Sequence, residues 1–168
     1  MFAALDVYYS DQTAQAAAVV FAEWAAAEPL AVYTSRMTVE AIYMPGRFFL
    51  RELRPLEAVL DTVREVLTCI IVDGYVTFGP NRPALGRYLF DRLGGRIAVI
   101  GVAKSKYGSA EGEIPIERGG SRRPLYITAA GMSKQAAADA IAGMHGAHRI
   151  PTLLKAADRL SRKQSANG

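Results

Sequence analysis

A chain of 168 residues, 51% apolar and 21% charged, is long enough for one domain with a full core and has the balance of a soluble α/β protein. No apolar run approaches the roughly 20 residues of a membrane span. The start MFAALDVYY lacks the order of a signal peptide, and the lone Cys69 excludes an internal disulfide, so a cytoplasmic protein is expected. A net charge of +4 and a pI near 9.3 permit an anionic partner without requiring one.

The first forty residues read as three strands: FAALDVYY, AAAVVFAEW and LAVYTSRMTV, joined by the short polar links SDQTAQ and AAEP. The alanines around position 16 would also suit a helix. AIYMPGRFFL follows as an irregular loop with Pro45 and Gly46. Apolar residues at 53, 56, 59, 60, 63, 66 and 67 then predict a helix from Leu53 to Leu67, with Pro55 in its first turn. CIIVDG is a short continuous apolar run, the mark of a strand buried on both faces. A helix over roughly 83–93 and a second buried strand, RIAVIGVAK, come next. The Gly-rich stretch 104–123 reads as a loop or hairpin, and PLYITAA as the last strand. Ser133 is a good N-cap for an Ala-rich helix to about Met144, and a final helix starts near Pro151.

Three antiparallel strands feeding parallel strands with helices between them describe a mixed, helix-flanked α/β sheet on the ribonuclease H-like plan. One domain over 1–160 is expected, with 161–168 a frayed tail.

Asp6 in LDVYY and Asp73 in IIVDG each end or interrupt an apolar run, and Glu52 in FFLRE stands at the expected start of a helix. A carboxylate beside a hydrophobic strand is costly to desolvate unless a cation or donor receives it. Together the three point to a divalent metal. Arg47, Arg51 and Arg54 flank Glu52; Arg82, Arg87, Arg92 and Arg96 follow Asp73; Lys104 and Lys106 close the next strand. Basic side chains gathered around acidic ones suit a site that holds a metal and a phosphate together. Taken singly, most are ordinary surface charge, as Arg122-Arg123 is expected to be, and Trp24 reads as packing.

The order of motifs resembles the endonuclease V family, nucleases that act at deaminated adenine (inosine) in nucleic acid. The resemblance rests on LDVYY, YMPG (43–46) followed by RE (51–52), VDG (72–74), IGVAKS (100–105), PLYIT (124–128) and HRIP…KAAD (148–158). It implies that Asp6, Glu52 and Asp73 are metal-binding and catalytic carboxylates for Mg²⁺, with Mn²⁺ able to substitute. Asp6 and Asp73 would bind directly and Glu52 through water. It places Tyr43, Met44, Pro45 and Gly46 in a wedge loop that separates strands, with Tyr43 its aromatic element. Lys104 falls on a lysine near the scissile phosphate, and Gly74 in the segment that shapes the base pocket. The implied partner is inosine-containing DNA or RNA, cut 3′ to the deaminated purine, with no membrane involved.

The match departs from the family in places. A Gly-His pair expected just after the last strand is replaced by Thr128 to Ser133 without histidine, and the chain's two histidines, His145 and His148, read as solvent-exposed. DGYVTFGPNRP stands where the family has small and histidine-bearing residues after its aspartate, so Tyr75 and Val76 would close or alter a base pocket. The sequence opens almost at the first expected strand, where the family usually has a helix ahead of it, so no such helix is expected here. Two alternatives to an inosine endonuclease follow: a catalytically impaired nucleic-acid-binding relative, or a ribonuclease H-like nuclease for flaps or mismatches.

Overall fold

The computed structural model describes residues 1–10, 12–38 and 48–163. The wedge candidates Tyr43, Met44, Pro45 and Gly46, and Arg47 beside them, lie outside the described residues. β1 (Phe2–Ser10), β2 (Thr13–Phe21) and β3 (Ala31–Thr38) form an antiparallel meander. β4 (Cys69–Asp73) lies parallel to β1, and β5 (Ala98–Ala103) parallel to β4. β6 (Ile114–Ile116) and β7 (Leu125–Ala130) form an antiparallel hairpin, and β7 also runs antiparallel to β5. The result is a seven-stranded mixed sheet of order β3-β2-β1-β4-β5-β7-β6, on the ribonuclease H-like plan. Among the described residues four helices flank it: α1 (Phe48–Leu60), α2 (Leu85–Arg92), α3 (Lys134–Ala142) and α4 (Thr152–Arg162).

Side-chain alternation along the strands assigns the two faces. Ala3, Leu5, Ile70 and Val72 join Leu53, Leu56 and Val59 of α1 and Leu89 of α2 in one core. Ala4, Cys69, Ile71, Ile100 and Val102 join Ala137 and Ile141 of α3 and Leu153 and Ala157 of α4 in the other. The alanines of β2 stay in a strand because its small side chains sit under helices on both faces. Ala16 and Ala18 face one core and Val19 and Phe21 the other, all fully buried. Tertiary burial overrides helix propensity here. Trp24 stacks on Phe2 with ring centroids 4.2 Å apart, as packing. Cys69 is buried, which pushes its thiol up to about 12 and leaves it an inert core residue.

Two boundaries differ from expectation. α1 starts at Phe48 and stops at Leu60, so Pro55 lies in its interior and not in its first turn. A proline there leaves the Arg51 carbonyl without its helical partner. The helix ends where the Thr62 N–H and hydroxyl both donate to the Val59 carbonyl (3.1 and 2.7 Å). Val63 and Leu67 still pack on the α1 core, but from the loop, so their helical spacing reported burial and not helix. At the other end α4 continues to Arg162, and Ser161 is 1% exposed. Residues 161 and 162, expected in the tail, thus belong to the helix. Among the described residues no helix is long and apolar enough to cross a membrane.

Candidate active site

The last register pair between β1 and β4 is Leu5 with Val72. Asp6 and Asp73 are the next residues on two adjacent parallel strands. Strand neighbours lie about 4.8 Å apart, and alternation turns both aspartates, like Ala4 and Ile71, toward the face covered by α4. Both line a cavity of about 370 Å³. Its floor is apolar, with Ile71, Val102, Ile150 and Leu154; its charged wall adds Lys104, Lys155 and Asp158.

Each carboxylate is braced by a separate donor. Lys104 Nζ donates to Asp73 Oδ2 at 2.6 Å, between side chains that are 46% and 43% exposed. The Ser161 hydroxyl donates to Asp6 Oδ2. Arg162 Nε donates to Asp158 Oδ1 at 3.0 Å, one turn along α4. Burial raises the Asp6 carboxyl above its usual range; the Ser161 bond opposes this, and the negative charges of Asp73 and Asp158 add to it. Burial alone would lower Lys104, but the bond and charge of Asp73, then Asp158 and Asp6, outweigh it and raise the ammonium overall. Lys104 is therefore a held cation.

Glu52 stands in α1, which packs on the opposite core, and it does not line the cavity. Among the described residues no three His, Cys, Asp or Glu side chains stand together as a metal cage. Of the expected trio, Asp6 and Asp73 share the cavity wall, and Asp158 is the third carboxylate that lines it. A site for Mg²⁺ needs no cage: the ion is commonly held by one or two carboxylates, with water and phosphate completing the shell. Hard oxygen donors on neighbouring strands, one desolvated and repelled by its neighbours, fit such a cation.

Sequence reading missed several residues here. Asp158 and Ser161, three apart, share a face of α4, and the HRIP…KAAD motif contains Asp158. The motif gave the position but no role. His148 is exposed, as expected, yet it lines the cavity, as does Arg123, which sequence alone presents as ordinary surface charge. His145 is exposed and bonds Thr152 Oγ1 through Nδ1 at 2.9 Å.

On the far side of Asp73 the chain is closed. Gly74 (φ +124°) turns away from the strand, with nothing within 4 Å of where a side chain would start. The next residues are packed: Tyr75 is 7% and Val76 1% exposed. The Tyr75 hydroxyl accepts from the Tyr107 N–H (3.0 Å) and donates to the Ser105 carbonyl (3.2 Å). The Val76 N–H donates to Thr128 Oγ1 at 2.8 Å. This close approach needs Gly101 on β5, where a Cβ would stand 2.6 Å from the Gly74 carbonyl oxygen and from Thr128 Oγ1.

A ribonuclease H-like sheet with carboxylates side by side on two adjacent parallel strands defines the class, a carboxylate-centred α/β domain. The chain belongs to the endonuclease V family, whose model matches residues 1–150. It is similar to the solved endonuclease V of Streptomyces avermitilis, with TM-score 0.80 and 26% identity over 96% of this chain and 79% of that one. Ciona intestinalis endonuclease V, solved with a 23mer DNA containing an inosine followed by a ribo-adenosine, superposes at TM-score 0.78 with 20% identity, covering 96% and 83% of the two chains. The catalytic domain of human endonuclease V gives 0.72 and 21%, covering 96% and 80%. At those identities the latter two speak for the fold alone. No curated protein matches the chain in sequence.

Proposed function

We propose that the protein is a divalent-metal-dependent endonuclease that hydrolyses a phosphodiester 3′ to a deaminated purine (inosine) in DNA or RNA. The observation that carries this reading is the placing of Asp6, midway along β1, beside Asp73 at the end of β4, in one cavity with Asp158 and Lys104. Membership of the endonuclease V family supports the substrate class.

In this reading Asp6 and Asp73 hold Mg²⁺ or Mn²⁺ directly, and Asp158 supplies the third carboxylate of the wall. Bound there, the ion supplies an acidified water and charge relief at the phosphate. Lys104, kept protonated by three carboxylates, holds a non-bridging phosphate oxygen. Ser161 fixes one Asp6 oxygen and leaves the other for ligation. Glu52, outside the cavity wall, acts on the ordered water around the site. Gly74, with open space at its Cα, lets a nucleotide approach the backbone closely. Tyr43, Met44, Pro45 and Gly46 remain the proposed strand wedge.

The second reading, a nucleic-acid-binding relative without efficient catalysis, is favoured by one observation: Tyr75 is buried and pinned directly beyond Gly74. A labelled oligonucleotide carrying one inosine, incubated with Mg²⁺ or Mn²⁺, separates the two. Metal-dependent cutting beside the inosine supports the endonuclease. Tight binding without cutting supports the second reading, neither sinks both, and cutting of flaps or mismatches without regard to inosine redirects the specificity.

A further inference from the structure

His148 stands on the loop between α3 and α4, at the wall of the carboxylate cavity. Its exposure looks like that of a surface histidine, but its backbone is fixed from three sides. Arg118, 8% exposed, donates through Nη1 to the His148 carbonyl (2.9 Å) and the Arg149 carbonyl (3.3 Å). Its Nη2 reaches the Met144 and Gly146 carbonyls, and its Nε the Ala142 carbonyl (3.3 Å). A buried guanidinium aimed at successive carbonyls is a mould for the 142–149 loop. Arg149 in turn ties that loop to the site, donating to the carbonyls of Lys104, Arg123 (2.8 Å) and Pro124 (2.9 Å). From beneath, Gly119 (φ +59°) lies so close that a Cβ would stand 2.6 Å from His148 Cα. The loop is thus built to hold one residue in place beside the carboxylates, and that residue carries an imidazole.

The phosphodiester reading leaves one requirement unassigned. The oxygen expelled from phosphorus leaves as an alkoxide unless a proton reaches it. Asp6, Asp73 and Asp158 serve best ionised, and Lys104 is engaged with Asp73. Imidazole is the side chain suited to release and recover a proton near neutrality.

We propose that His148 is the general acid of this reaction. As the attacking water oxygen forms its bond to phosphorus, the bond to the bridging oxygen breaks. That oxygen takes the electron pair and the imidazolium proton, the attacking water's proton passes to solvent, and the imidazole recovers a proton from solvent. A positioned acid of this kind contributes about 10²–10⁴ in rate. The proposal rests on the endonuclease reading, and its test distinguishes the two failures.

The test compares wild type, His148→Gln and His145→Gln on a labelled inosine oligonucleotide with Mg²⁺, and on the same strand with sulfur in place of the leaving bridging oxygen. A thiolate leaves without protonation. His148→Gln is expected to cut the oxygen substrate about 10²–10⁴-fold more slowly and the sulfur substrate at close to the wild-type rate, with His145→Gln unaffected on both. An unchanged rate on oxygen, or an equal deficit on oxygen and sulfur, overturns the proposal and leaves the nuclease reading standing. A wild-type protein that cuts neither strand overturns both.

Discussion

The chain divides sharply at Asp73. On its α4 side the sheet opens into a cavity lined by three carboxylates, two lysines and a histidine, among others. On its other side Gly74 is followed at once by buried Tyr75 and Val76, clamped to Ser105, Tyr107 and Thr128. The first side keeps charged groups in reach of solvent at the cost of raising Asp6; the second satisfies every named polar atom internally and exposes little. In the proposed function the contrast separates two tasks on either side of Asp73: holding a reacting phosphate, and shaping what may approach beside it. The carboxylate side has the composition of a working site, whereas the Tyr75 side has the packing of a core.

The largest expected effect breaks the first side. Asp73→Asn removes a proposed ligand and the partner of Lys104, so charge relief worth several kcal/mol is lost and single-turnover cleavage falls by about 10³-fold or more. Asp158→Asn is expected to fall further than Glu52→Gln, for which a role through water predicts a loss of about 10–100-fold. The reverse order would restore Glu52 as the third ligand. Arg118→Met leaves several loop carbonyls unpaired, each costing about 1–3 kcal/mol. Melting and cleavage should drop together, since the same mould holds His148.

Smaller effects probe the closed side. In Gly101→Ala the new methyl meets the backbone of Gly74 and Val76. Overpacking of about 1–3 kcal/mol, at roughly 2–4 °C per kcal/mol, lowers the melting temperature while the carboxylates stay in place; an unchanged melt would mean the segment yields easily. Tyr75→Phe loses its two hydrogen bonds for about 1–2 kcal/mol. If it also raises selectivity for inosine over adenine in cleavage, Tyr75 is what narrows the approach.

The smallest effect is on stability against pH. Folded Asp6 keeps its proton above the ordinary value of 3.8, because burial and then its acidic neighbours oppose ionisation against the Ser161 bond. The folded state therefore binds the extra proton. Its contribution is full below 3.8 and is lost as pH rises through the raised value. Asn cannot ionise, and its carbonyl oxygen can still accept from Ser161. Asp6→Asn should melt at or above wild type at neutral pH, with the difference vanishing below pH 3.8; a lower melt at neutral pH contradicts this.

What was legible in sequence follows from these residues. Asp6 and Asp73 interrupt apolar runs, and period-two alternation then fixes the face they share, so the pair could be read without coordinates. Asp158 and Ser161 sit on an amphipathic helix, where a charged residue over the active end of the sheet looks like any on a solvated face. Only the docking of α4 on β1 distinguishes them. His148 and Arg149 lie in a short loop whose placement depends on Arg118, 30 residues away in the chain. Glu52 is legible through its motif, but its place beside the carboxylates depends on how α1 docks, which no local pattern encodes. Helical spacing beyond Leu60 misled for a related reason: Val63 and Leu67 are buried without being helical.

Titration of Mn²⁺ into wild type, Asp6→Asn and Asp73→Asn, followed by the ion's paramagnetic resonance, tests the centre of the proposed function most directly. One site in the wild type that both substitutions weaken severely is the expected result. Equal binding by all three proteins, or none by the wild type, would contradict a metal centre between the middle of β1 and the end of β4.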